Sequence, residues 1–100
     1  MSIVKLSVLP NKALLSGELT RQTISLIKDK EVEALLKQTL VVFNLEQVSK
    51  IDTAGLAWLF ALLEKAQTRN CCLTFASLPN KLKKLISLSG VEGFLPVELD

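Results

Sequence analysis

Residues 43–63 read FNLEQVSKIDTAGLAWLFALL, and this stretch constrains the fold more than any other part of the chain. A nearly continuous apolar run over 40–45 leads in. Four residues, Asp52-Thr53-Ala54-Gly55, then open a run over 54–63 whose only polar side-chain group is the Trp58 indole N–H. The first run is rich in β-branched and aromatic residues, which predicts a strand covered on both faces. The second predicts a helix. The Thr53 hydroxyl is then placed as its cap, accepting from main-chain N–H groups that have no partner inside the helix. Gly55 has no Cβ, so backbone or a partner can come close there. A helix apolar on every side needs cover on every side, from its own protein or from another.

The rest of the chain supplies the elements around this stretch. Residues 3–8 alternate as a strand does, 12–16 read as a second strand, and the short link at Pro10-Asn11 predicts an antiparallel hairpin. Residues 20–38 read as helical, with Thr20 or Thr23 as N-cap. Asp29-Lys30-Glu31 interrupts the apolar face, so one bent helix or two short ones are expected. Glu46-Gln47 begins a loop in which Val48 and Ile51 point inward. The helix after Asp52 runs to about Arg69 and ends at Asn70, a residue that tolerates the left-handed terminal conformation. A strand follows over 71–77. Pro79 suits the first turn of a last helix. That helix turns Leu82, Leu85 and Ile86 inward and Lys81, Lys83 and Lys84 outward, and Ser89-Gly90 stops it. Val91, Phe94 and Leu95 form a closing apolar clasp before a tail over 96–100.

The order is therefore β-β-α-β-α-β-α. This is an α/β fold with a mixed four-stranded sheet and three to four helices. Strands separated by helices run parallel with right-handed crossovers, and the first strand joins antiparallel at one side. The expected core is Leu6, Leu14, Val42, Leu56, Leu59, Phe60, Leu63, Phe75, Leu82 and Leu85. At about 100° per residue, Leu56, Leu59, Phe60 and Leu63 share the core side of the central helix. Ala54, Ala57, Trp58, Ala61 and Lys65 fall opposite, with Leu62 at the border. The opposite face reads as a docking surface with Trp58 as its anchor, since tryptophan in the middle of an interface is a common hot spot.

One hundred residues suggest a single domain over 1–100. A net charge of +2, without an arginine-rich or aromatic-interleaved stripe, argues against nucleic acid as a partner. The run over 54–63 is far short of the roughly 20 residues a spanning helix needs, so direct membrane insertion is not expected. Met1-Ser2-Ile3-Val4-Lys5 has no basic region ahead of an apolar core, which leads to the expectation of a cytoplasmic protein. Cys71 and Cys72 are adjacent in a strand, so they should point to opposite faces as small apolar residues and hold no metal.

The chain has no His and no Tyr, and its four glycines are isolated. Histidine triads and the commonest proton shuttle are therefore missing, as is a phosphate-cradling loop. Asp52 and Glu46 could be drawn as an acid/base pair, but an Asp just ahead of a helix is far more often a cap or turn residue. The expectation is a non-enzyme without cofactors. At Thr53 a phosphate would sit at the positive end of the helix dipole and add negative charge beside Asp52, so Thr53 is a candidate phosphorylation site.

The stretch FNLEQVSKIDTAGLAWL resembles the signature of STAS domains, small modules of anti-sigma-factor antagonists and transporter regulators. Leu15-Ser16-Gly17-Glu18-Leu19 is similar to the end of the family's second strand, and the segment from Leu78-Pro79 to Gly90-Val91 to its last helix. Within the family, Leu15-Ser16-Gly17-Glu18-Leu19 and Asp52-Thr53 with Gly55-Leu56-Ala57 resemble MlaB-type subunits of phospholipid ABC transporters, which act in outer-membrane lipid asymmetry. That resemblance implies a non-catalytic subunit that binds the ABC transporter ATPase through Asp52, Thr53, Ala54, Ala57, Trp58, Ala61 and Lys65. It would then be peripheral at the inner membrane through the complex. The alternative is an anti-sigma-factor antagonist, which binds a serine kinase and is switched off by phosphorylation at the turn. Those proteins usually carry Ser at the position of Thr53. Asn44 departs from the Asp often seen in MlaB-type proteins.

Overall fold

The chain begins with a hairpin in the computed structural model, which describes residues 3–97. β1 (Val4–Leu9) and β2 (Lys12–Leu19) pair antiparallel across Pro10-Asn11, with Leu9 opposite Lys12. β2 runs past the expected end at residue 16. Gly17, at φ 91°, takes up an irregularity in the pairing with the next strand, whose register shifts between Leu14 and Ser16 and again between Gly17 and Glu18.

A 3₁₀ helix (Ile24–Leu26) and α1 (Asp29–Leu36) follow, which is the two-helix alternative for 20–38. The break falls ahead of Asp29. Asp29 and Glu31 do not interrupt a helix; they start one, in the first turn, where the helix dipole favours acidic side chains. Neither threonine caps a helix through its side chain. Thr20 lies outside both, and Thr23 makes no capping bond. Thr23 is instead buried, its hydroxyl accepting from the Thr20 amide at 2.9 Å and donating to the Glu18 carbonyl at 2.6 Å. It ties down the exit from β2.

β3 (Leu40–Ile51) is a single strand of 12 residues, with no loop at Glu46-Gln47. Its backbone stays paired with β2 as far as Leu19 opposite Ile51, so polar side chains there face solvent without ending the strand. Val48 does point inward, and Ile51 is half-buried against the core. α2 (Thr53–Thr68), β4 (Cys72–Ala76), α3 (Asn80–Ser89) and a short 3₁₀ helix (Glu92–Phe94) complete the described chain. The sheet order is β1-β2-β3-β4. β2, β3 and β4 run parallel, and β1 is antiparallel at one edge, as predicted. At the other edge the Phe75 amide donates to the Pro96 carbonyl at 2.9 Å and Val97 bridges to Phe75. Of the tail expected over 96–100, residues 98–100 lie outside the described part, as do Met1 and Ser2.

One face of the sheet carries the core. Leu6, Leu15, Phe43, Leu45 and Phe75 are buried there, with the Phe43 and Phe75 rings stacked at 5.9 Å. Among the described residues the other face stays open. Val42 and Leu14 are only half-buried and stand apart from the core cluster, and Leu40 is 48% exposed. This corrects three expectations at once: 40–45 is not covered on both faces, and Leu14 and Val42 are not core residues. Alternation along a strand shows which residues share a face, and only the count of layers shows whether that face is covered. Phe60 and Leu85 are half-buried but do pack on the core. Phe94 is 71% exposed, so Val91 and Leu95 make the closing clasp without it. Cys71 is buried and Cys72 exposed, on opposite sides as expected. Burial, with Cys72 adding to it, pushes the Cys71 thiol pKa up, away from reactive thiolate. No helix among the described residues is long and apolar enough to cross a membrane.

Candidate functional site

The turn between β3 and α2 is held by Asp52. Its Oδ1 accepts from the Gly55 amide at 2.9 Å and its Oδ2 from the Arg21 amide at 3.0 Å. One carboxylate thus caps α2 and fastens the exit of β2 to it. Burial by itself would raise the Asp52 pKa. The amides of Arg21, Gly55, Ala54 and Asp52 itself outweigh that and hold the carboxyl below its ordinary value.

Thr53 is therefore not the cap. It is the first residue of α2 and is exposed. A cap needs extended backbone, and β3 carries that conformation through Ile51 to Asp52, whose φ and ψ are −126° and −175°. The helix begins one residue earlier than a threonine cap would require. Gly55 does mark a close approach, by the chain itself: a Cβ there would lie 2.1 Å from the Leu19 carbonyl oxygen.

α2 is also rotated from its expected setting. Gly55, Leu59, Leu62 and Ala66 form a buried line, with Leu56 and Leu63 beside it. Leu62 is core, not border. Ala57, Ala61 and Lys65 are exposed as expected, while Ala54 is half-buried. Trp58 does not project freely. It is half-buried on the flank, its ring edge-on to Phe43 with centroids 6.4 Å apart and planes at 84°. Together with Ala61 and Lys65 it lines an open groove of about 530 Å³, whose far wall is the crossover from Ile24 to Val32.

The segment that carries the turn, α2 and three of the four strands matches a known family. The family model described as "Mlab, STAS domain" matches residues 12–97. The chain belongs to the STAS domain family.

Among solved structures, the STAS domain here resembles the Bacillus cell-fate determinant SpoIIAA in its phosphorylated form. Identity is 14%, the match covers 97% of this chain and 92% of that one, and the TM-score is 0.63. The unphosphorylated anti-sigma factor antagonist SpoIIAA is similar at 19% identity, 97% and 87% coverage and a TM-score of 0.67. A Thermotoga maritima protein described as a candidate anti-sigma factor antagonist aligns at 13% identity, 97% and 86% coverage and a TM-score of 0.63. At these identities the likeness is one of fold. A search of curated protein sequences returns no match.

The STAS turn brings Asp52, Thr53 and Ala54 to one end of α2, and Trp58, Ala61 and Lys65 to the groove along it. What sequence reasoning missed is the other wall: Ile24, Ile27, Lys28, Lys30 and Val32. Nothing local marks them as neighbours of Trp58, because the contact spans the crossover and β3. The tie between Asp52 and Arg21 was equally silent, since it uses a backbone amide, which every residue type but proline supplies.

Proposed function

We propose that this STAS domain is a non-catalytic docking subunit that binds the ATPase of a phospholipid-transporting ABC complex, and lies at the inner membrane through that complex. The observation that carries the reading is the match of the Mlab-described model across 12–97, a span that includes the whole turn and α2. The exposed Thr53, Ala57, Ala61 and Lys65 support it, because small residues on an unpartnered helix face allow a partner helix close approach. STAS domains in general bind and regulate.

A second reading is favoured by the likeness to anti-sigma factor antagonists, one of them phosphorylated. Thr53 stands exposed at the start of α2, where a phosphate would meet the positive end of the helix dipole. Affinity capture of the tagged protein from its native cells separates the two. Co-purification of an ABC ATPase supports the first reading, and a serine kinase in its place overturns it. In either case Thr53→Glu should weaken capture much more than Thr53→Ser, through added charge and bulk at the contact. Equal capture by Thr53→Glu and the parent would remove the turn from the interface.

A further inference from the structure

The groove beside α2 has a chemistry that the docking face alone does not express. Ile24, Ile27 and Val32 form one wall, and Trp58, Ala61 and Leu62 the other. Lys28, Lys30 and Lys65, all exposed, also line it, with Asp29 as the one acidic lining residue. Glu33, on the same helix as Asp29, is engaged elsewhere: both its oxygens meet the Arg69 guanidinium. Lys28 precedes α1 without a side-chain capping bond, so the start of that helix adds its positive dipole end beside the lysines. An apolar floor under a cationic rim selects a ligand with apolar side chains and carboxylates in close alternation. The volume of about 530 Å³ falls within the about 300–1,000 Å³ usual for binding pockets, enough for several side chains of an inserted segment.

We propose that this groove binds an acidic, leucine-rich segment of the partner protein, its apolar side chains against Trp58 and Ala61 and its carboxylates on Lys28, Lys30 and Lys65. The inference rests on the docking reading above for which protein supplies the segment, and on the groove itself for the segment's chemistry. Charge complementarity decides the occupant. A second copy of this chain would bring its own lysines to the same rim.

Trp58 is the only tryptophan, so its emission reports occupancy of the groove. Three probes are titrated into the purified protein: a synthetic peptide of alternating Leu-Leu and Glu-Glu pairs, the same peptide with Lys for every Glu, and phosphatidylglycerol vesicles. The acidic peptide should shift Trp58 emission saturably with a Kd below about 1 mM. Added salt should weaken it. Ala61→Arg, and the triple variant Lys28→Glu, Lys30→Glu, Lys65→Glu, should each raise Kd at least about tenfold, or about 1.4 kcal/mol. A melt by circular dichroism confirms that each is folded, and the triple variant suffices if Ala61→Arg is not. An equal response to the lysine peptide, a response to vesicles alone, or an acidic-peptide response unchanged in the triple variant overturns the groove, as does no response at all. Capture from native cells fails separately. Recovery of neither ATPase nor kinase removes the functional reading and leaves the peptide titration to decide the groove.

Discussion

Two stripes of the same spacing run along α2, one residue out of phase. Gly55, Leu59, Leu62 and Ala66 are all buried. Ala54, Trp58, Ala61 and Lys65 run from half-buried to exposed. Both stripes are largely small or apolar, so hydrophobicity does not separate them. The ends do. At Gly55 the helix lies directly against the Leu19 carbonyl, and at Ala66 its own carbonyl accepts from the Cys71 amide at 2.9 Å. A stripe with small residues at both ends lets the helix settle along its whole length. A stripe with Trp58 inside it cannot lie as close, and becomes the flank.

The comparison is tested first by truncating the buried stripe. Leu59 is fully buried, and Leu59→Ala should cost about 2–5 kcal/mol in urea unfolding. A parent-like midpoint would put the wrong stripe inside. Gly55→Ala comes next. Its methyl meets a backbone carbonyl and not a flexible side chain, so the cost should reach the upper part of the about 1–3 kcal/mol typical of overpacking. Ala57→Gln, on the exposed side, should stay within about 0.5 kcal/mol. Equal effects from these two changes would erase the distinction between the faces.

Trp58→Ala samples the boundary. Because Trp58 is half-buried, its truncation should cost less than the about 3–5 kcal/mol of a fully buried aromatic, yet still lower the melting midpoint. It should also weaken partner affinity at least roughly thirtyfold, since it serves both packing and the groove. A variant that loses stability but keeps affinity assigns Trp58 to the core alone.

The smallest effects compare two neighbours at the turn. Asp52→Ala should cost about 0.5–2 kcal/mol for the lost cap, whereas Thr53→Ala, which caps nothing, should stay within about 0.5 kcal/mol. Acid sharpens this. The Asp52 pKa is depressed in the folded state, so its contribution is complete above the unfolded-state value, near 4, and is lost as pH falls through the lower folded-state value. Asp52→Asn has no such proton to take up. Glu33, depressed chiefly by its bond to Arg69, adds the same sign of dependence to parent and variant alike. The parent-minus-variant difference in stability should therefore shrink on going from pH 5 toward pH 2, and a difference independent of pH would remove the carboxylate from the turn's cap.

Element order, strand direction and the turn itself were legible in the chain because they rest on local signals. These are alternation over β1, an apolar run in β3, Asp-Thr before an apolar helix, and Gly90 in the left-handed conformation at the end of α3. The STAS resemblance rested on the same stretch, and the family model bears it out over 12–97. What tertiary structure decided is how those pieces face one another. Val42 and Leu14 have side chains fit for a core, but among the described residues no second layer lies over that face of the sheet, and both stay half-buried. Thr53 has a hydroxyl fit for a cap, but the extended backbone that leaves β3 ends at Asp52, one residue short of Thr53, and gives the cap to Asp52. Leu62, set at the border by helical angles alone, is core, and Trp58, set on the opposite face, is a half-buried flank residue, because the approach at Gly55 sets the rotation of α2. Local sequence fixes backbone preference and periodicity, which act over a few residues. Which face is covered, and how closely, depends on groups dozens of residues away, and only their packing supplies that.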